Sequence, residues 1–225
     1  MQPRLVRWVG YVRTKTSQVL CCVYDRAMES VAGFVLAGGT SSRMGREKAY
    51  VDFQGMTLLG RALANVGAVT ENIAVVGPAT RFSGEATAVI EDRFPGAGPL
   101  AGIHAALAAS TCELNLILAV DLPLVSPDML RFLLSRAEST QAMVTVPRIA
   151  GGWQPLCAVY RRAFCTIAEN ALLAGRNKID SLYRPEIVLA LEETELAAAG
   201  FPAAMFRNMN RPEDLTQVSE IPGTR

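Results

Sequence analysis

The segment LAGGTSSRMGREKA, residues 36–49, concentrates three kinds of chemistry directly after an apolar run. Gly38, Gly39 and Gly45 give backbone freedom, Thr40, Ser41 and Ser42 give hydroxyls, and Arg43 and Lys48 give positive charge. Glycines let backbone N–H groups turn toward an anion, and hydroxyls add donors. The Arg43 guanidinium can clamp phosphate oxygens in a fork, while Lys48 supplies a compact charge. The loop matches neither common phosphate motif. Five residues separate Gly39 from Gly45, Lys48 is followed by Ala49 rather than Ser or Thr, and G-x-G-x-x-G is not formed. A solvated polar turn and a triphosphate cradle both use these residue types. The presence of Arg and Lys together after a strand favours the cradle.

Asp121 ends the apolar run ILAVDLP. A carboxylate there needs a cation or hydrogen-bond donors. A Mg²⁺ shared with nucleotide phosphates satisfies it, because Mg²⁺ takes one or two carboxylates plus phosphate oxygens. A local turn fixed by Pro123 satisfies it equally. In VIEDRFPGAGPLAGIHAAL (89–107), Asp92 can accept hydrogen bonds from a base or ribose, and Gly96, Gly98 and Pro99 lead into a helix with free N–H groups at its start. Small residues there serve helix packing just as well. Asn208 and Asn210 are two apart and share a side on extended chain. They can hold a metal or second substrate, or cap the next helix. Gln154 in GWQPL faces a substrate or belongs to a plain turn. His104, the only histidine, reads as a helix-face residue.

These residues need a scaffold that gathers them. Apolar strand-like runs at 31–37, 72–77, 87–92, 114–120 and 142–147 alternate with helical stretches at 58–66, 98–110 and 126–138. Ser126, Pro127 and Asp128 mark a helix start. A strand after GGWQ, a helix at 161–175, a strand at 187–193 and a last helix at 211–218 follow. This alternation predicts an α/β fold with a doubly wound, mostly parallel sheet and a small C-terminal α/β addition. In such sheets ligands bind outside the carboxyl ends of strands. The loop after 31–37 and Asp121 both fall there.

Lys plus Arg is 22 and Asp plus Glu is 21, so no overall field draws in nucleic acid. No apolar run is long enough to span a bilayer. Five cysteines without C-x-x-C spacing point to free thiols in a reducing cytoplasm, and a single histidine argues against a zinc site. Residues 1–29 read as an extension outside the fold: a basic tail, or sequence preceding a start at Met28. Residues 30–220 read as one domain and 221–225 as a frayed tail.

LAGGTSSRMGREKA, PGAGPLAGIHAAL, VDLPLVSPDML and RNMNRPEDL, in that order from about Val31 to Val218, resemble the molybdenum cofactor guanylyltransferases of the MobA type. These are nucleotidyltransferases with a Rossmann-like sheet. The resemblance implies transfer of GMP from GTP to the terminal phosphate of molybdopterin with release of pyrophosphate, using Mg²⁺. It sets Leu36, Ala37, Gly38, Gly39, Thr40 and Ser41 against the nucleotide, and Arg43 and Lys48 on the triphosphate. It makes Asp92 a nucleotide contact and Asp121 the magnesium ligand, and puts Asn208 and Asn210 near the pterin or metal. It implies molybdopterin, and molybdoenzyme-maturation proteins, as partners. Two positions depart from the pattern. Gly77 stands where an Asn is frequent, and Glu47 where Asp is usual. The competing readings are a cytidylyltransferase or another nucleotidyltransferase acting on a phosphorylated metabolite, and a non-catalytic GTP-binding module.

Overall fold

The computed structural model describes residues 31–38, 48–82, 84 and 87–209. Its centre is an eight-stranded sheet. β1 (Val31–Leu36), β4 (Ile73–Val76), β5 (Ala88–Ile90), β6 (Leu114–Ala119), β7 (Val144–Ile149), β9 (Cys157–Arg161) and β10 (Val188–Glu192) run in the order β10-β7-β9-β6-β1-β4-β5, with β8 (Gly152–Trp153) folded onto β7. β2 (Asp52–Phe53) and β3 (Met56–Thr57) form a separate small hairpin. β1 and β6 are buried along their whole length and are covered on both faces, which is why they read as unbroken apolar runs.

Helices cover the two faces separately. On one face lie α1 (Leu58–Gly67), α4 (Pro127–Glu138) and α6 (Glu193–Ala198). On the other lie α3 (Pro99–Ala109) and α5 (Phe164–Leu173). The starts follow local chemistry. Thr57 accepts from the Gly60 amide to cap α1, and Ser126 accepts from the Met129 amide to cap α4, with Pro127 in the first turn. Gly33 in β1 lets α1 lie close, because a side chain there would run into Val66.

β1 pairs in parallel with both β4 and β6, whereas β9 runs antiparallel to β6 and β7. From β1 the chain moves outward to β4 and β5, then crosses back to β6 on the other side. The strand order therefore reverses beside β1, which opens the ligand crevice of a doubly wound sheet. The expected α/β class and mostly parallel sheet are present, and the C-terminal elements continue the same sheet. The helix expected at 211–218 lies outside the described residues. The α2 turn (Ala79–Phe82), the β2–β3 hairpin and α6 are further elements.

Candidate active site

Three backbone bonds tie the strand ends at the carboxyl edge. The Val120 amide donates to Leu36 at 3.0 Å, Ala37 to Val76 at 3.0 Å, and Gly77 to Ile90 at 3.0 Å. Asp121, Ala37–Gly38, Gly77 and Asp92 thus sit just past four adjacent strands, β6, β1, β4 and β5. They span three strand spacings, roughly 14 Å.

Asp121 is the electrostatic centre of this edge. Its Oδ2 accepts from Lys48 Nζ at 2.8 Å, and the two side chains are only 22% and 15% exposed. Lys48 begins a 3-10 turn, Lys48–Tyr50, anchored by buried Ala49. The other oxygen, Oδ1, is buried and has no hydrogen-bond partner among the described residues. A buried, unsatisfied carboxylate oxygen carries a desolvation penalty of about 1–3 kcal/mol, which a bound cation or donor removes. Among the described residues no group of three or more His, Cys, Asp or Glu side chains could hold a metal. Asp121 offers one carboxylate, which suits a Mg²⁺ that completes its shell with substrate phosphates and water.

Two further segments close on the end of β6 at Asp121. Its carbonyl accepts from the Met209 amide at 2.9 Å, which brings exposed Asn208 to the edge while Met209 is 1% exposed and anchors the turn. The Ala119 amide donates to Leu156 O at 2.7 Å, so half-buried Gln154 and its turn lie at the same end of β6. Tyr160 Oη donates to Pro155 O at 2.8 Å and meets Tyr183 Oη at 2.7 Å, fixing that turn from below. Burial pushes both phenols upward in pKa, so they stay neutral.

At the end of β1, Leu36 turns its side chain into the core toward Gly102 of α3, and only its backbone reaches the edge. Gly38 is exposed, and a Cβ on it would come no closer than 3.9 Å to Val76 O. Packing among the described residues does not require glycine there. Gly77 is different: a Cβ would lie 2.7 Å from Phe82 Cε2. Phe82 is 1% exposed, with its ring 6.1 Å from that of Tyr50. The space of a side chain at 77 is filled by an aromatic ring. Asp92 is half-buried, and its Oδ1 accepts from the Phe94 amide at 2.7 Å.

The structure thus brings Leu36, Ala37, Gly38, Lys48, Asp92, Asp121, Gln154 and Asn208 to one edge. Gly39, Thr40, Ser41, Ser42, Arg43 and Asn210 lie outside the described residues. Sequence reading passed over Phe82, Met209 and the Tyr160–Tyr183 pair. Phe82 and the two tyrosines stand at no motif position, Met209 lies within RNMNRPEDL as its apolar residue, and only the tertiary fold places them beside the site.

A doubly wound sheet with a lysine–aspartate pair at its switch point is an arrangement suited to a phosphate-bearing ligand, as in the nucleotidyltransferases. The profile of the MobA-like NTP transferase domain matches residues 33–193, and the chain belongs to that family. It is 32% identical over 195 residues to a protein of Carboxydothermus hydrogenoformans named a probable molybdenum cofactor guanylyltransferase, covering 86% of this chain and 98% of the relative. A molybdenum cofactor guanylyltransferase of Desulfosudis oleivorans is 32% identical over 190 residues, covering 84% and 94%. The crystal structure of molybdopterin-guanine dinucleotide biosynthesis protein A from Archaeoglobus fulgidus superposes with a TM-score of 0.73 at 28% identity, over 84% of this chain and 97% of that one.

Proposed function

We propose that the protein transfers GMP from GTP to the terminal phosphate of molybdopterin and releases pyrophosphate. The observation that carries this is the Lys48–Asp121 pair with its buried, unpartnered Oδ1 at the switch point. Asp121 would hold a Mg²⁺ through its carboxylate, and the metal when bound supplies charge neutralisation and orientation for phosphate oxygens. Lys48 and Arg43 hold the triphosphate and offset charge on the departing pyrophosphate. Gly38 to Ser41 cradle the phosphates through backbone N–H and hydroxyl groups. Asp92 holds the nucleoside. Gln154, Asn208 and Asn210 hold the acceptor on the other side of Asp121.

In the transfer, an oxygen of the acceptor phosphate forms a bond to the α-phosphorus. The bond from that phosphorus to the bridging oxygen breaks, and the electron pair leaves with pyrophosphate. The attacking oxygen is already ionised at neutral pH, so the chain needs no general base. Catalysis is positioning plus electrostatics. The setting is a cytoplasmic biosynthetic step, with molybdoenzyme-maturation proteins as recipients of the product. Among the described residues no helix is long and apolar enough to cross a membrane.

Gly77 and Phe82 favour one alternative. With no side chain at that strand end, a base other than guanine has one fewer discriminating contact to satisfy. Pyrophosphate release from GTP, CTP and ATP, each with and without molybdopterin, tests both readings. Turnover only with GTP and molybdopterin is expected. Preferential consumption of CTP would instead assign a cytidylyltransferase, and tight GTP binding without turnover a binding module.

A further inference from the structure

His104 is an unusual core residue. It lies on α3 and is 1% exposed, among Leu100, Ile103 and Leu107 of the same helix. Its Nδ1 is buried with no partner among the described residues. An unsatisfied buried nitrogen is costly, and a Leu would fill an apolar site without that penalty. Aliphatic packing alone therefore does not account for an aromatic ring here.

Its surroundings suggest what does. The ring meets Phe94 edge-to-face, with centroids 5.2 Å apart at 78°. Phe94 closes two consecutive turns: its amide donates to Asp92 Oδ1 at 2.7 Å, and its carbonyl accepts from the Ala97 amide at 3.1 Å. The loop then runs through Gly96 and Gly98, at φ values of 82° and 76° that other residues rarely adopt. On its other side His104 Nε2 is 4.0 Å from Glu169 Oε1 on α5. The charged groups around the ring are Glu169 from α5 and Asp92 and Arg93 from the loop, with the Cys165 thiol sharing the Glu169 and Arg93 environment.

We propose that His104 is a positioning residue for nucleotide binding, bracing Phe94 from α3 so that the Asp92 turn is held ready for the nucleoside. This rests on the reading of Asp92 as a nucleotide contact. Burial lowers the imidazole pKa more than Glu169 and Asp92 raise it, so the brace is a neutral ring at pH 7. The position senses the loop as well as supporting it, because a ligand engaging Asp92 alters the field on the ring.

The test uses the full chain and steady-state pyrophosphate release, with GTP binding followed by calorimetry. His104→Leu and Phe94→Leu should each raise the KM for GTP by roughly 3- to 10-fold, the affinity equivalent of one aromatic pair. Their kcat should be unchanged, and together they should do no more than either alone. His104→Phe keeps the edge contact and should restore the KM. The single imidazole resonance in the NMR spectrum should shift on addition of GTP. Asp92→Asn serves as the comparator. If it raises KM while His104→Leu and Phe94→Leu do not, the brace is overturned and the nucleotide reading stands. If none of the three changes KM, both fail. A loss of kcat with a lowered Tm that His104→Phe does not rescue would mark His104 as merely structural and overturn the proposal.

Discussion

Lys48 Nζ donates to Asp121 Oδ2 at 2.8 Å across 73 residues of chain, while the second oxygen of the same carboxylate is buried and unmatched. The pair therefore joins the segment after β1 to the end of β6 and leaves one acceptor that no described residue fills. Asp121→Asn keeps the size of the side chain and removes its charge. Its kcat is expected to fall on the order of 10²-fold or more, since metal ions supply several kcal/mol of transition-state stabilisation. Magnesium titration of pyrophosphate release checks this, and full magnesium-dependent turnover in the variant would falsify the metal role. Lys48→Ala should lower kcat/KM by a comparable order, because it removes a charge that neutralises the leaving group.

Gly38 separates binding from folding. A methyl group there meets only ordinary contacts among the described residues, so Gly38→Ala should melt within a degree or two of the parent. In the proposed site the same methyl group stands where a phosphate or ribose comes close to the backbone. The KM for GTP should rise by roughly tenfold or more, a penalty of about 1.4 kcal/mol. Calorimetric GTP binding by a folded variant measures the effect, and unchanged affinity would remove the nucleotide from this strand end.

Gly77 gives the opposite pattern. Gly77→Asn forces the Phe82 ring to move, which typically costs about 1–3 kcal/mol for an overpacked core. Phe82→Ala opens a cavity at about 3–5 kcal/mol. Combined, the two changes should cost clearly less than their sum, because the asparagine enters space the ring has left. Urea denaturation of the four proteins gives the coupling directly. Strict additivity would mean that the ring does not oppose a side chain at 77.

Much of this site was legible in the sequence because its parts are local. Lys48 and Asp121 each stand where a glycine loop or apolar strand ends, and strand ends converge on one edge of any doubly wound sheet. Ser126 and Pro127 announced α4 by capping chemistry alone. What escaped depends on contacts between distant segments. Phe82 fills the space beside Gly77 only after β4 and the following turn are built. The Met209 amide reaches Asp121 from 88 positions away. The imidazole of His104 read as an ordinary helix position because its partners, Phe94 and Glu169, lie on a loop and another helix.

His104 also sets a pH dependence of stability. Its folded pKa lies below the ordinary 6.5, chiefly through burial. Below 6.5 the unfolded chain takes up a proton that the folded chain resists. Stability should therefore fall as pH drops from 6.5 toward the lowered folded value, then level off with respect to this group. His104→Phe should remove that part of the slope. Melts of both proteins from about pH 8 to about pH 5 isolate it as a difference, since other carboxylates titrate alike in both. A parallel pair of curves would show that the imidazole is not held neutral by the fold.

In the proposed site, Asn208 and Met209 divide the acceptor-binding segment into surface and anchor. Asn208 is exposed, so Asn208→Ala should change stability by no more than about 0.5 kcal/mol. It lies next to the residue whose amide holds the Asp121 carbonyl. Loss of its amide should raise the KM for molybdopterin while leaving that for GTP unchanged. Met209→Ala removes a side chain that is 1% exposed and should cost about 2–5 kcal/mol, loosening the turn itself. Steady-state kinetics with each substrate varied in turn separates the two positions. A change confined to the KM for GTP in Asn208→Ala would move this segment to the nucleotide half of the site and leave Gln154 as the described acceptor-side candidate.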